Sequence, residues 1–274
     1  MTLELSSLPS PAAVMGILNV TPDSFSDGGR FTGRDDALRQ AERMLAEGAD
    51  ILDVGGESTR PGATGVSAQE ELDRVVPVIE AVLGITDKPV SIDTSKADVM
   101  RAAVAAGAAM INDVRALREE GALDAAAAAR VPVCLMHMQG QPRTMQQDPD
   151  YADVVGEIAD FLSERVEACG HAGIPRDRIV LDPGFGFGKT VAHNVELLAN
   201  LRQLKELGLP ILAGLSRKST LGKITGRDVD QRVPASIAAA VIAVTNGASI
   251  VRVHDVAETV DALKVLTAVL ESEN

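Results

Sequence analysis

A single-domain (β/α)8 barrel is the fold class this sequence predicts, and three observations predict it. Eight short apolar runs rich in β-branched residues alternate with helix-like segments along 274 residues, and that alternation makes a parallel sheet. One such barrel takes about 250 residues, so the length needs no domain boundary. Polar residues cluster at the C-terminal ends of the runs, which in a closed barrel share one face. A doubly wound open sheet is the competing architecture, but it usually carries fewer strands. No linker-like stretch interrupts residues 12–274, and only residues 1–11 read as a loose lead.

The first strand covers 14–20, an apolar run without polar alternation and therefore buried on both faces. Residues 21–29 are nearly all turn formers and make a loop. Ala37, Leu38, Ala41, Met44 and Leu45 share one face of a helix over 35–48. The second strand, 50–55, ends in a charged, turn-rich loop from Gly56 to Gly62, and Ser67 with Glu70 forms a capping box for a helix to Leu83. The third strand, 89–93, ends in Asp93, with Thr94 or Ser95 capping the helix that runs to Gly107. The fourth, 109–113, ends in Asn112 and Asp113. The fifth, 131–136, leads into His137-Met138-Gln139-Gly140, and a long helical pattern spans 151–170.

The sixth strand, 178–182, ends at Asp182, and Gly184, Gly186 and Gly188 follow at every second position. A phosphate-cradling Gly-x-x-x-x-Gly-Lys-Ser/Thr loop is excluded because Pro183 occupies its first glycine, and the two-and-two spacing excludes a Gly-x-Gly-x-x-Gly dinucleotide fingerprint. The seventh strand, 210–214, runs into Leu215-Ser216-Arg217-Lys218-Ser219; an Ala-rich helix covers 234–246. The eighth, 249–253, precedes His254-Asp255 and a last helix to about 270.

Composition narrows the function. Aromatics are 2% of the chain and Trp is absent, so Ala, Val, Leu and Ile must build the core. The net charge of −13 argues against nucleic acid or an anionic membrane as partner. No apolar run reaches the roughly 20 residues of a membrane span, and the N-terminus lacks a basic signal region. Cys134 and Cys169 lie far apart with no Cys-x-x-Cys partner, as expected of buried thiols in a cytoplasmic protein. The histidines show no zinc spacing, and Lys218 stands where a nucleophile elbow needs glycine.

Asn19, Arg60, Asp93, Asn112, His137, Asp182, Lys218, and Arg252 with His254 all fall at or just past strand ends. They divide by chemistry. Asp93, Asn112 and Asp182 offer acceptors and an amide suited to a flat heterocycle carrying several N–H groups. Arg60, Arg252, His254 and Arg217 are donors suited to a phosphate or diphosphate, and Lys218 suits either set. Such a site favours displacement of diphosphate by a second substrate, with catalysis from positioning and electrostatics and a hard cation such as Mg²⁺ held by few protein oxygens plus the phosphates.

Long motifs then bring in a family. Met15-Gly-Ile-Leu-Asn-Val-Thr-Pro-Asp-Ser-Phe-Ser-Asp-Gly-Gly29, Asp53-Val-Gly-Gly-Glu-Ser-Thr-Arg-Pro-Gly62, Ser91-Ile-Asp-Thr94, Asp182-Pro-Gly-Phe-Gly-Phe-Gly-Lys189, Ser216-Arg-Lys-Ser219 and Arg252-Val-His-Asp255 resemble the dihydropteroate synthases over the whole chain. The resemblance implies condensation of 6-hydroxymethyl-7,8-dihydropterin diphosphate with 4-aminobenzoate, by cleavage at C9 largely before the amine attacks, and sensitivity to sulfonamides. It implies a pterin site of Asp93, Asn112, Asp182 and Lys218, shaped by Met136, Phe187 and Gly214. Diphosphate would meet Asn19, Thr59, Arg60, Arg252 and His254, with Mg²⁺ on Asn19. Aminobenzoate would sit against Phe25, Thr59, Pro61, Phe187, Lys218 and Ser219. Asp93, Lys218, Arg60 and Arg252 would carry the catalysis, Asp93 by stabilising the pterin cation. A cytoplasmic homodimer is the implied assembly. A corrinoid-dependent pterin methyltransferase would need no diphosphate site, and a non-catalytic pterin-binding paralogue would lack intact loops at Asn19–Gly29 and Glu57–Gly62.

Overall fold

All eight apolar runs form parallel strands in the computed structural model, which describes residues 3–21, 30–58, 65–140 and 144–272. They are β1 (Ala13–Asn19), β2 (Ile51–Gly55), β3 (Val90–Asp93), β4 (Met110–Asp113), β5 (Val133–Met136), β6 (Ile179–Asp182), β7 (Leu212–Ala213) and β8 (Ile250–Val253). Their order is β6-β5-β4-β3-β2-β1-β8-β7. A parallel bridge between Leu181 and Ile211 joins the two ends of that order and closes the ring. The expected barrel is the observed one.

Between the strands run α1 (Arg30–Ala46), α2 (Ala68–Leu83), α3 (Ala97–Ala105), α4 (Ala122–Ala129), α5 (Val154–His171), α6 (Val191–Ala199), α7 (Ser219–Thr225), α8 (Val233–Thr245) and α9 (Val256–Ser272). Sequence periodicity does not mark α4, α6 or α7. The first is mostly alanine with no apolar stripe, and the last has only 7 residues. Two caps differ from expectation. Ser67 accepts the Glu70 N–H at 3.2 Å, but the Glu70 carboxylate pairs with Arg74, so only half of a capping box forms. Neither Thr94 nor Ser95 caps α3. Its N-cap is Lys96, and the Ser95 hydroxyl donates to Asp113 instead.

Side chains alternate between the two faces of a strand, and that period builds the barrel interior in layers. Met15, Ile51, Met110, Cys134, Val180, Leu212 and Ile250 make an apolar lower layer. Leu3, Leu5 and Leu8 pack against it from below, so residues expected to be a loose lead instead plug the barrel's floor. Two residues further along each strand the same inward face presents Ile17, Asp53, Asp93, Asn112, Met136, Asp182, Gly214 and Arg252. The interior thus turns from apolar to polar within one step of two residues. No helix among the described residues is long and apolar enough to cross a membrane.

Candidate active site

The polar layer opens into a cleft at the strands' C-terminal ends. Asp93, Asn112, Met136, Asp182, Phe187, Gly214, Lys218, Arg252 and His254 line it, all of them expected from the sequence, together with Ile17, Val114 and Ser216. Five strands or the loops after them contribute a polar group to a single depression. Asn112 and Asp182 are each less than a tenth exposed, so a ligand reaching them is read by acceptors that water barely competes for.

A charge network forms the floor. Arg252 donates from Nε to Asp53 Oδ2 at 2.6 Å and from Nη2 to Asp93 Oδ2 at 2.7 Å. Asn112 Nδ2 donates to the same Asp53 oxygen at 3.0 Å, which turns the amide's own oxygen away from that contact. Asp53 is fully buried and does not line the cleft. Strand-end reasoning missed it because it lies two residues before the end of β2. A lone carboxylate at an inward position of an otherwise apolar strand was the available signal.

The sides are built by Lys218 and the glycine loop. Lys218 donates to the Phe185 carbonyl, and its ammonium stands 4.7 Å from the centre of the Phe187 ring. Asp182 Oδ1 accepts the Gly184 N–H at 2.7 Å, so this carboxylate is oriented by the loop that follows it. Gly184 has φ of 70°, and a Cβ there would sit 1.8 Å from the His137 carbonyl. Only glycine fits. His254 shares its Nδ1 with the Ser216 hydroxyl at 3.0 Å.

Burial sets the electrostatics. Desolvation raises Asp93 to about 7 against the pull of Arg252, with Asp53 adding to the rise. Asp182 is raised by desolvation too, and Lys218 opposes that. Desolvation lowers Lys218 to about 8, partly offset by Asp182. For Arg252 burial works against the charge, yet Asp53 and Asp93 hold its pKa above the ordinary value. A carboxyl raised from 3.8 to about 7 binds more protons folded than unfolded between those values. Stability from Asp93 is therefore complete below 3.8 and is lost as pH rises through about 7. Asp93→Asn is accordingly expected to raise the melting temperature clearly more at pH 8 than at pH 5. Equal shifts at both pH values would count against a carboxyl strained by burial.

Some expected residues lie elsewhere. Arg217, expected among the phosphate donors, is ion-paired with Asp255 through both Nε and Nη2, and its N–H donates to Ser236 Oγ at 2.9 Å. It braces the loop before α7. His137 follows a strand end but does not line the cleft; its ring meets Phe161 edge-on at 4.9 Å and accepts from Lys189 at Nδ1. Desolvation, with Lys189 and Arg118, lowers it to about 3, so it stays neutral. Ser219 is exposed as the first residue of α7, outside the cleft lining. Asn19 ends β1, with its Oδ1 leaning over Gly55, where a Cβ would come within 3.7 Å of it. Phe25, Thr59, Arg60 and Pro61 lie outside the described residues.

A family model described as pterin binding enzyme matches residues 15–254. The chain is 56% identical over 255 residues to the dihydropteroate synthase of Haemophilus influenzae, covering 93% of each. It superposes with a TM-score of 0.92 on the Yersinia pestis dihydropteroate synthase in complex with a sulfonamide drug, at 54% identity, covering 99% of this chain and 97% of that one. A Xanthomonas albilineans dihydropteroate synthase in complex with 7,8-dihydropteroate gives a TM-score of 0.88 at 55% identity, covering 98% and 95%.

Proposed function

We infer the chemistry from one premise: the chain belongs to the pterin-binding enzyme family and acts as a dihydropteroate synthase, a transferase of folate biosynthesis. It joins 6-hydroxymethyl-7,8-dihydropterin diphosphate to 4-aminobenzoate, yielding 7,8-dihydropteroate and diphosphate. The observation that carries this reading is the composition of the cleft, where buried acceptors at Asn112 and Asp182 adjoin the cations Lys218 and Arg252.

Asp182 and Asn112 bind the N–H edge of the pterin, while Met136, Val114 and Phe187 enclose its faces. Arg252 and His254 face the diphosphate, joined by Thr59 and Arg60. The C9–O bond breaks with its electron pair leaving on diphosphate, and a cation develops on the pterin. Asp93, held by Arg252, stands beside that charge and stabilises it. The aminobenzoate nitrogen then bonds to C9 and releases a proton to solvent. No general base is needed for so weakly basic an amine. Phe25, Pro61, Phe187, Lys218 and Ser219 are the proposed aminobenzoate contacts, and sulfonamides are expected to compete there.

Mg²⁺ fits this site through Asn19. One amide oxygen over an open glycine is a sparse protein contribution, and Mg²⁺ characteristically takes few protein oxygens, completing its shell with phosphates and water. When bound it would neutralise charge on the departing diphosphate. The same reading makes the protein a cytoplasmic homodimer. Both cysteines are free thiols, and Ile224 on α7 and Ile242 on α8 remain exposed for a partner helix face. Sedimentation as a single chain would count against the dimer.

Turnover tests the reaction. Diphosphate release should depend on 4-aminobenzoate, match dihydropteroate formation, and stop on chelation until Mg²⁺ is restored. Tight pterin binding without turnover would leave a binding protein in place of an enzyme.

A further inference from the structure

We propose that Lys189 is a positioning residue for the pterin pocket, fixing the glycine loop between Asp182 and α6 through its backbone carbonyls. The inference rests on the pterin reading above and assigns a role to a residue that does not line the cleft.

Residues 183–189 have no helix or strand to satisfy their backbone, yet every carbonyl from 184 to 188 accepts from a side chain. Lys189 Nζ donates to Gly184 at 2.9 Å and to Phe187 at 3.0 Å. Lys218 takes Phe185, Gln146 takes Gly186, and the Tyr151 hydroxyl takes Gly188 at 2.8 Å. The positive φ values of Gly184, Gly186 and Gly188 turn successive peptide planes, so the carbonyls point to donors on different sides. Lys189 alone holds two of the five. Its third ammonium proton meets His137 Nδ1 at 3.0 Å, at the end of β5. Three protons and three acceptors leave nothing on the ammonium unsatisfied, so it ties two carbonyls of the loop together and pins the loop to the neighbouring strand end through His137.

Those points bracket the site. Gly184 is the donor that orients Asp182, and Phe187 is the ring under Lys218. Removing the ammonium takes a donor from each carbonyl, leaving Gly184 with the Phe187 N–H at 3.1 Å, in a place where Lys189 is only 3% exposed. Burying the charge is unfavourable. Desolvation lowers Lys189 to about 7, with Lys218 contributing and Asp182 opposing. An apolar side chain would avoid that penalty, and a residue that bears it is doing so for the acceptors it organises.

The experiment compares Lys189→Met, Lys189→Arg, Phe187→Ala and the Met/Ala double variant of the full chain. Calorimetry gives the affinity for the pterin diphosphate, steady-state kinetics gives kcat and both KM values, and melting reports the fold. Lys189→Met should weaken pterin diphosphate affinity roughly tenfold or more, the loss of about one charged hydrogen bond. The pterin KM should rise by a similar factor and kcat should fall less, because Lys189 touches no reacting atom. Lys189→Arg, which keeps donors, should recover part of the affinity. The effect of Lys189→Met should shrink when Phe187 is already alanine, since one acts through the other.

A lowered melting temperature with affinity within twofold of wild type would overturn the proposal, leaving Lys189 a fold-stabilising residue only. Full additivity with Phe187→Ala would also overturn it. If Lys189→Met does not fold, Lys189→Gln, whose neutral amide cannot serve all three acceptors, carries the same comparison, and an unchanged pterin KM there decides against the proposal. Wild-type turnover is read separately. Its absence defeats the synthase assignment, while the affinity ratios still decide the role of Lys189.

Discussion

Replacing Arg252 by alanine is expected to abolish turnover and to destabilise the fold by about 3–5 kcal/mol, the scale of breaking a buried ion pair by removing one partner. The guanidinium serves two carboxylates at once, Asp53 at 2.6 Å and Asp93 at 2.7 Å. Asp53 is fully buried, and without Arg252 its remaining partner is the neutral amide of Asn112. The site would relieve the strain by protonating a carboxyl, so the destabilisation should be smaller at acid pH than at pH 8. Diphosphate affinity should weaken too, by roughly 1.5–3 kcal/mol for a lost charge-assisted hydrogen bond. Denaturant melts and turnover assays separate the two effects. Adding Asp53→Asn should restore much of the stability and none of the activity. Retention of near-normal turnover by Arg252→Ala would mean that another group meets the leaving diphosphate.

Asp182→Ala should lose pterin affinity by roughly a hundredfold or more, as expected for two charged hydrogen bonds. The carboxylate has two roles in the structure. It accepts from Gly184 N–H at 2.7 Å, tying the loop to β6, and its charge raises the proton affinity of Lys218 and Lys189. Without it both ammonium groups lose a compensating charge, and Lys218 should lose its proton at lower pH. Asp182→Asn separates charge from shape: the amide oxygen can still accept from Gly184 while the negative charge is gone. Calorimetric titration with the pterin diphosphate decides the matter. Unchanged affinity in both variants would sink the pterin assignment, whereas loss of aminobenzoate affinity alone would show the two halves of the site to be wrongly divided.

The strands and their terminal residues were legible because they are local. A run such as Ile179–Asp182 is buried along its length and ends in a carboxylate, and neither fact depends on the rest of the chain. β7 was legible at its loop but not in its extent, since only Leu212 and Ala213 are paired as strand. Ser95 illustrates the opposite case. By local rules it caps α3, but Asp113, brought alongside by β4, takes its hydroxyl. Arg217 reads as a phosphate donor until Asp255 is found beside it, and His137 reads as a site residue until Phe161 and Lys189 are seen around it.

By itself, then, the sequence determined the barrel, the face that carries the chemistry and the residue types that line it, since all three follow from periodicity and from where polarity interrupts it. Tertiary structure alone decided the partnerships. Arg252 and Asp53 lie 199 positions apart and meet because the ring closes β8 against β1, which sets β2 one strand further. Lys189 spends its charge on carbonyls that glycine geometry turns toward it. A buried charge acts through whichever groups the fold places within about 3 Å of it, and that distance is a property of the closed barrel, not of any stretch of the chain.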